Sequence, residues 1–411
     1  VATTGMAQSE DQTEQLNVPD VPPGRYIHEG DMLLTERQQS SLEQQGTFEA
    51  NLWPGGIVPY EFETNSTASV NLVSAVGIAF VAGSPPAITS LFTDLSTVGI
   101  QVGDEIRVNG SISNNNNSAS NPGYVVTGVM AGQLTLTTGD PINTENNTGL
   151  PIQIYSTRTV TPLNQTRFQN AMVGWEAVAN VDFRLRTTES DYVRVQNSNF
   201  NRSAVGHEGG QQVLEMRNWW SQPIIQHEAA HTLAVKHEQS RPDRDTYVDI
   251  RLGNVSQTAC SGPCDGNFNI SPTARAYPTG PDGVYDFDSV MHYGAKAFTT
   301  NPDSNTIVVR EPWTSEWQTR IGQRSHLSYW DQKVMSFLYP QSDWRFLHAA
   351  TSAPINTGGF VTPYDSLPVA MALIPSGGHL IMLYPETFVE PGVYTKTMVM
   401  EAPLGAVITG Q

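Results

Sequence analysis

Hydrophobic positions in this chain recur with two periods. Phe168, Met172 and Trp175 to Val178 stand at helical spacing and predict a helix with one face on a core. Val181-Asp182-Phe183-Arg184-Leu185 and Tyr192-Val193-Arg194-Val195 alternate, as half-buried strands do. Tyr329 to Tyr339 predicts another helix, ended by Pro340. Between positions 63 and 167 the pattern is different. Glu105 to Val108, Val125 to Thr127 and Leu134 to Thr137 are short strands punctuated by Gly103-Asp104, Asn109-Gly110, Asn121-Pro122-Gly123 and Gly139-Asp140. The polar run Asn114 to Asn117 is expected at a loop tip. Toward the C-terminus, Tyr364 to Ala372 suggests a short helix. His379 to Tyr384, Met398 to Met400 and Ala406 to Ile408 suggest strands separated by Gly and Pro. Residues 1–46 show no period; Ser9 to Gln15 is polar, and Pro19, Pro22 and Pro23 follow, the composition of a tail or linker.

A length of 411 residues predicts two to four folded units. The net charge of −18 argues against nucleic-acid and anionic-membrane partners. No apolar run reaches the roughly 20 residues of a membrane helix. No basic segment followed by an apolar core opens the chain, so a signal peptide is expected to have been removed or left out. Only 15% of residues are charged while Asn, Thr, Ser and Gly abound, a composition common in secreted β-rich proteins. Cys260 and Cys264 fit a small local disulfide in an oxidising compartment; a thiolate metal site would need further cysteines.

The chemistry concentrates in Gln226 to Glu238, which contains His227-Glu228-Ala229-Ala230-His231. Histidines four apart lie one above the other on a helix and can face one metal ion. Glu228 can reach the attacking water without being a ligand. On a continuous helix His237 would be about 120° off that face, so it joins only if the helix stops near Ala234 and the chain turns back. Three imidazoles with an open fourth position describe a catalytic zinc site. A downstream methionine turn, Asp288 to Gly294 around Met291, completes the metzincin pattern. His207-Glu208 has no second histidine at helical spacing and is expected on the surface.

With these motifs the chain resembles the astacin family of zinc endopeptidases. The likeness extends through Glu238 to Asp245, Ser289 to Tyr293, Ile321 to Arg324 with Leu327, Ser328 and Asp331, and an opening strand Leu52 to Phe62. Where the family has glycine this chain has Ala234, at a left-handed position costing an alanine roughly 1–2 kcal/mol. Neither of the family's two longer-range disulfides can form here. The resemblance implies one catalytic Zn²⁺ held by His227, His231 and His237, with Glu228 as general acid–base. Tyr293 would be an additional ligand that swings away to hydrogen-bond the transition state, and Met291 a packing residue beneath the zinc. Arg241 and Asp245 would tie down the zinc loop. The strand around Ser203 and Val205 would align the substrate, and Arg324 would line the pocket after the scissile bond and favour acidic residues there. Read without the resemblance, Arg324 is a surface arginine paired with Asp331. His28 to Leu34 resembles the family's propeptide element, which implies that Asp31 reaches the zinc and keeps the chain latent; otherwise Gly30-Asp31 is an ordinary turn. Cleavage would fall between Gln44 and Thr47, and the new ammonium would pair with Glu238.

The expected fold is therefore α+β: a metzincin-like catalytic domain with a twisted sheet and a zinc-binding helix (47–66 and 161–341) behind a propeptide-like segment (1–46). An inserted small β-barrel-like domain occupies 67–160. A C-terminal β-rich module, 342–411, resembles the first coils of a right-handed β-helix. The substrate would be a protein or peptide, and the β modules would take a ligand the residues do not identify. Two rival readings are a non-catalytic adhesion scaffold and another hydrolase on a metzincin frame.

Overall fold

The computed structural model describes residues 25–28, 31–35, 51–64, 69–116, 123–146, 149–257, 264–270, 277, 285–351, 356–389 and 395–409. Two β-strands come first, β1 (Arg25–His28) and β2 (Met32–Thr35), paired antiparallel as a hairpin; β3 is Ile57–Phe62. A second group follows: β4 (Ser69–Ala75), β5 (Ile78–Val81), β6 (Ala87–Ser90), β7 (Glu105–Asn109), β8 (Tyr124–Met130), β9 (Gln133–Leu136) and β10 (Ile152–Thr157). These make a sheet of their own, ordered β4-β10-β7-β8-β9-β6-β5 and antiparallel throughout. Val73, Phe80, Ile106, Leu134 and Ile154 belong to its separate hydrophobic core. Asn114 and Asn116 correct the loop-tip expectation: both are buried. Asn116 Oδ1 accepts the Val108 N–H at 2.6 Å and Asn114 Oδ1 accepts that of Asn143 at 2.8 Å. Buried backbone groups need partners, and short amide side chains supply them.

The next sheet carries the chemistry. Helix α1 (Pro162–Glu176) starts with a Thr161 cap and buries Phe168, Ala171, Met172 and Trp175, a stripe at helical spacing. Strands β11 (Asp182–Leu185), β12 (Tyr192–Asn197), β13 (Arg202–Ala204) and β14 (Gln211–Met216) follow, then α2 (Gln222–Thr232). The sheet order is β1-β2-β13-β14-β12-β3-β11. Strand β13 runs antiparallel to β14, and β2 lies parallel along its outer side, with Ser203 opposite Met32 and Ala204 opposite Leu33. Trp175, Val193, Leu214, Ile225 and Met291 share one core between sheet and helices. Arg167 on α1 donates to Gln101 Oε1 at 2.7 Å, tying the two sheets' regions together. Beside that contact, burial pushes the Asp104 carboxyl up to about 6.

A lower region holds β15 (Val248–Ile250) paired with β16 (Ile307–Val309), the short α3 (Thr314–Trp317) and α4 (Tyr329–Leu338). Helix α4 opens with a capping box between Ser328 and Asp331. Beyond it lie β17 (Trp344–Leu347), α5 (Leu367–Leu373), β18 (His379–Met382), β19 (Thr387–Val389), β20 (Val399–Glu401) and β21 (Val407–Thr409). All pairings here are parallel, and His379 opposite Val399 repeats in Thr387 opposite Val407. Phe346 and Phe360 of this region pack with Phe337 of α4 and with Tyr277. Among the described residues no helix is long and apolar enough to cross a membrane.

Candidate metal centre

Helix α2 places His227 and His231 on one face and ends at Thr232. Ala234 then takes φ 76°, the left-handed turn expected of it, and the chain doubles back so that His237 meets the other two. All three rings are buried. Because the turn depends on a φ that branched side chains avoid, Ala234→Val should cost roughly 2 kcal/mol or more. Ala234→Gly should stay within about 1 kcal/mol, since relief of strain is offset by unfolded-state entropy. Chemical denaturation of the zinc-loaded proteins measures both.

The outer ring nitrogens are tied to backbone: His227 Nδ1 to Val290 O at 2.8 Å and His231 Nδ1 to Val235 O at 2.7 Å. Those contacts set tautomers that turn each Nε2 lone pair inward. His227 Nε2 and His237 Nε2 stand 3.3 Å apart, close to the roughly 3.4 Å that two nitrogens on one tetrahedral zinc would have. The Asp31 carboxylate completes the group: its Oδ2 is 3.1 Å from His237 Nε2 and 3.3 Å from His227 Nε2. His231 Nε2 and Asp31 Oδ1 face each other at 3.7 Å, buried and without a hydrogen-bond partner, as atoms prepared for a metal would be. These four donor groups lie within 4.8 Å of one another. Burial pushes His227 down to about 3 and lowers His231 as well, so both rings are neutral donors. Burial works to raise Asp31, yet the neighbouring His237 and the ring contacts hold its carboxyl well below its ordinary value. The donor set fits zinc.

Around this group the expected residues fall at different distances from the chemistry. Glu228 is buried on α2 beside His227. Tyr293 is buried with its ring centroid 4.5 Å from that of His237, and its N–H donates to Gln239 Oε1 at 3.0 Å. Met291 packs in the main core, and its carbonyl accepts the Glu238 N–H at 3.1 Å. Glu238 Oε1 is already engaged by Arg241 at 2.7 Å and by the Asp286 N–H at 3.0 Å. Glu238 lines a cavity with Lys236, Asp286, Asp331 and Met291. Arg241 is indeed buried and bridged, but its second partner is Asp243; Asp245 is exposed and pairs with Arg244 instead.

Arg324 Nη1 donates to the carbonyls of His292 and Gln323 at 3.1 and 2.9 Å. The pairing with Asp331 is not what holds it. Asp331 accepts from Ser289 Oγ at 2.6 Å, Val290 N–H at 2.8 Å and Ser328 N–H at 2.9 Å. One carboxylate thereby fastens the methionine turn to the start of α4, and the same Val290 orients His227. The Ser328 to Asp331 spacing signals the capping box at the helix start, but not the reach to the methionine turn. Ser203 turns its hydroxyl to Thr232 Oγ1 at 2.8 Å, while Val205 packs on Met32. His207 is half-buried, not surface: its Nε2 lies 2.9 Å from Asp191 and its ring against Trp53. Cys264 is disulfide-bonded; Cys260 lies outside the described residues.

The stretch that carries this site is similar to known proteins. The family model for the Astacin peptidases matches residues 143–340. The chain is 34% identical over 190 residues to the zinc metalloproteinase nas-30 of Caenorhabditis elegans, covering 46% of this chain and 24% of that protein. It is 33% identical over 174 residues to high choriolytic enzyme 2 of Oryzias latipes, covering 42% of this chain and 57% of that protein. Among solved structures, high choriolytic enzyme 1 of Oryzias latipes, a hatching enzyme zinc-protease, shares 31% identity at a TM-score of 0.37. That match covers 44% of this chain and 84% of the other. The chain thus spans between a quarter and three fifths of the two curated relatives' length.

Proposed function

This chain belongs to the astacin family of zinc metalloproteases through residues 143–340, and from that premise we propose that it is a zinc endopeptidase made in latent form. The observation that carries the reading is the convergence of His227, His231 and His237 on one point with Asp31 facing them. When bound, zinc supplies a Lewis acid and lowers the pKa of water to roughly 7. Glu228 takes the proton of the attacking water and returns it to the leaving amine. Tyr293 offers its hydroxyl to the developing oxyanion. The substrate lies as an antiparallel strand along β13, adding to the sheet edge by main-chain hydrogen bonds.

Strand β2 lies on that same edge but parallel to it. A parallel strand presents its peptide bonds in the reverse sense from an antiparallel substrate, so the hairpin covers the cleft without being a substrate for it. The Ser203 N–H donates to Asp31 O at 2.8 Å, which delivers the Asp31 carboxylate to the histidines. Residues 67–160 and 342–411 are read as added modules with an unassigned ligand. The disulfide at Cys264 supports an oxidising, extracellular setting.

The test is zinc content together with cleavage of a quenched peptide library, on the folded full chain before and after proteolytic removal of residues 1–46. Zinc in both with cleavage only afterwards is expected; zinc with no cleavage in either would favour the scaffold reading. Within the same library, Arg324→Leu should lower cleavage before Asp or Glu by about tenfold, the value of one charge-assisted pair. Unaltered preference would reject the pocket role.

A further inference from the structure

Strand β13 is three residues long, and on its outer side its neighbour is the hairpin strand β2. Once a latent hairpin leaves, β13 becomes an edge held by β14 alone, facing Glu215 and Leu214. Something must fix its height relative to the histidines, because substrate backbone laid along it is registered by it. We propose that the buried hydroxyl pair Ser203–Thr232 is that positioning device. The inference rests on the peptidase reading and on β13 as the substrate edge.

Thr232 directly follows His231 and is the last residue of α2. Both hydroxyl residues are fully buried, and their oxygens stand 2.8 Å apart. Ser203 Oγ also donates to Ala204 O at 2.9 Å. A hydroxyl has one proton, so Thr232 is the donor of the pair and Ser203 relays the bond into its own strand. The carbonyl of Thr232 accepts Trp53 Nε1–H at 3.0 Å, a further tie on this turn of the helix. Just beyond β13, the Gly206 N–H donates to His231 O at 2.9 Å. The strand is thus attached at two points to the residue pair that includes a metal-facing histidine. The main-chain link Gly206–His231 survives any side-chain change; the hydroxyl pair is the part that substitution can remove.

The experiment uses the zinc-loaded full chain, nicked after folding to release residues 1–46. It compares a long quenched peptide that spans β13 with a short substrate that ends beside the scissile bond. Ser203→Ala and Thr232→Val should each raise KM for the long peptide about three- to tenfold, the value of one hydrogen bond. For Thr232→Val the short substrate should be turned over within about twofold of the parent, below that range. Thr232→Ser, which keeps the hydroxyl, should restore the parent KM, and the double variant should be no worse than either single one. Equal losses on both substrates, additive losses, or an unchanged KM for the long peptide would overturn the inference alone. A parent chain that cleaves neither substrate would overturn the peptidase reading, and this inference with it.

Discussion

Glu228→Gln is expected to lower peptide cleavage by about 10²–10⁴-fold while zinc stays bound at one per chain. Glutamine keeps the shape and polarity of the buried side chain but cannot accept and return a proton at neutral pH. The metal donors are imidazoles on the same helix and on the returning chain, so the change leaves them in place. Activity should fall in kcat, with KM little changed, because the proton transfers belong to the transition state and not to ground-state binding. Steady-state kinetics with metal analysis on the nicked chain reads both quantities. Retention of more than about a tenth of the activity would remove Glu228 from the role of general base.

Asp31→Ala should open the metal to small ligands in the intact chain. The carboxylate stands within 3.3 Å of two of the ring nitrogens that would hold zinc. Contacts to charged groups of this kind are worth about 1.5–3 kcal/mol, or about ten- to hundredfold in an equilibrium. A small hydroxamate should therefore bind the zinc-loaded variant about ten- to hundredfold tighter than the parent. Long peptides should gain less, because β2 still pairs with Ser203 and Ala204 through main chain that the substitution does not touch. Titration of hydroxamate into both full chains measures this; equal affinities would exclude Asp31 as the latch.

The elements that were legible in the sequence are those with local periods. The stripe Phe168, Met172, Trp175 became α1, and the alternations near Phe183 and Val193 became β11 and β12. Strands β4, β5, β6 and β10 were not foreseen. Strands β4 and β10 are hydrogen-bonded neighbours although the other strands of the second sheet lie between them in sequence, and nothing near either strand announces the pairing. The parallel strand β17 and the short β19 escaped for the same reason.

At the site the division is sharper. Spacing alone put His227 and His231 on one helical face, and the demand for a third ligand put a turn at Ala234. The 3.6-residue period and the forbidden regions of backbone space act within a few residues, so a sequence carries them openly. Which aspartate would pair with Arg241, that Asp331 would hold the methionine turn, that Ser203 would face Thr232, and that β2 would run parallel to β13 had no such signal. Asp31 reaches His227 across 196 positions of chain, a contact that the resemblance implied but no local period carries. Contacts of that separation are decided by how whole surfaces pack and by which buried polar groups must be satisfied at once, quantities that exist only when the tertiary structure does.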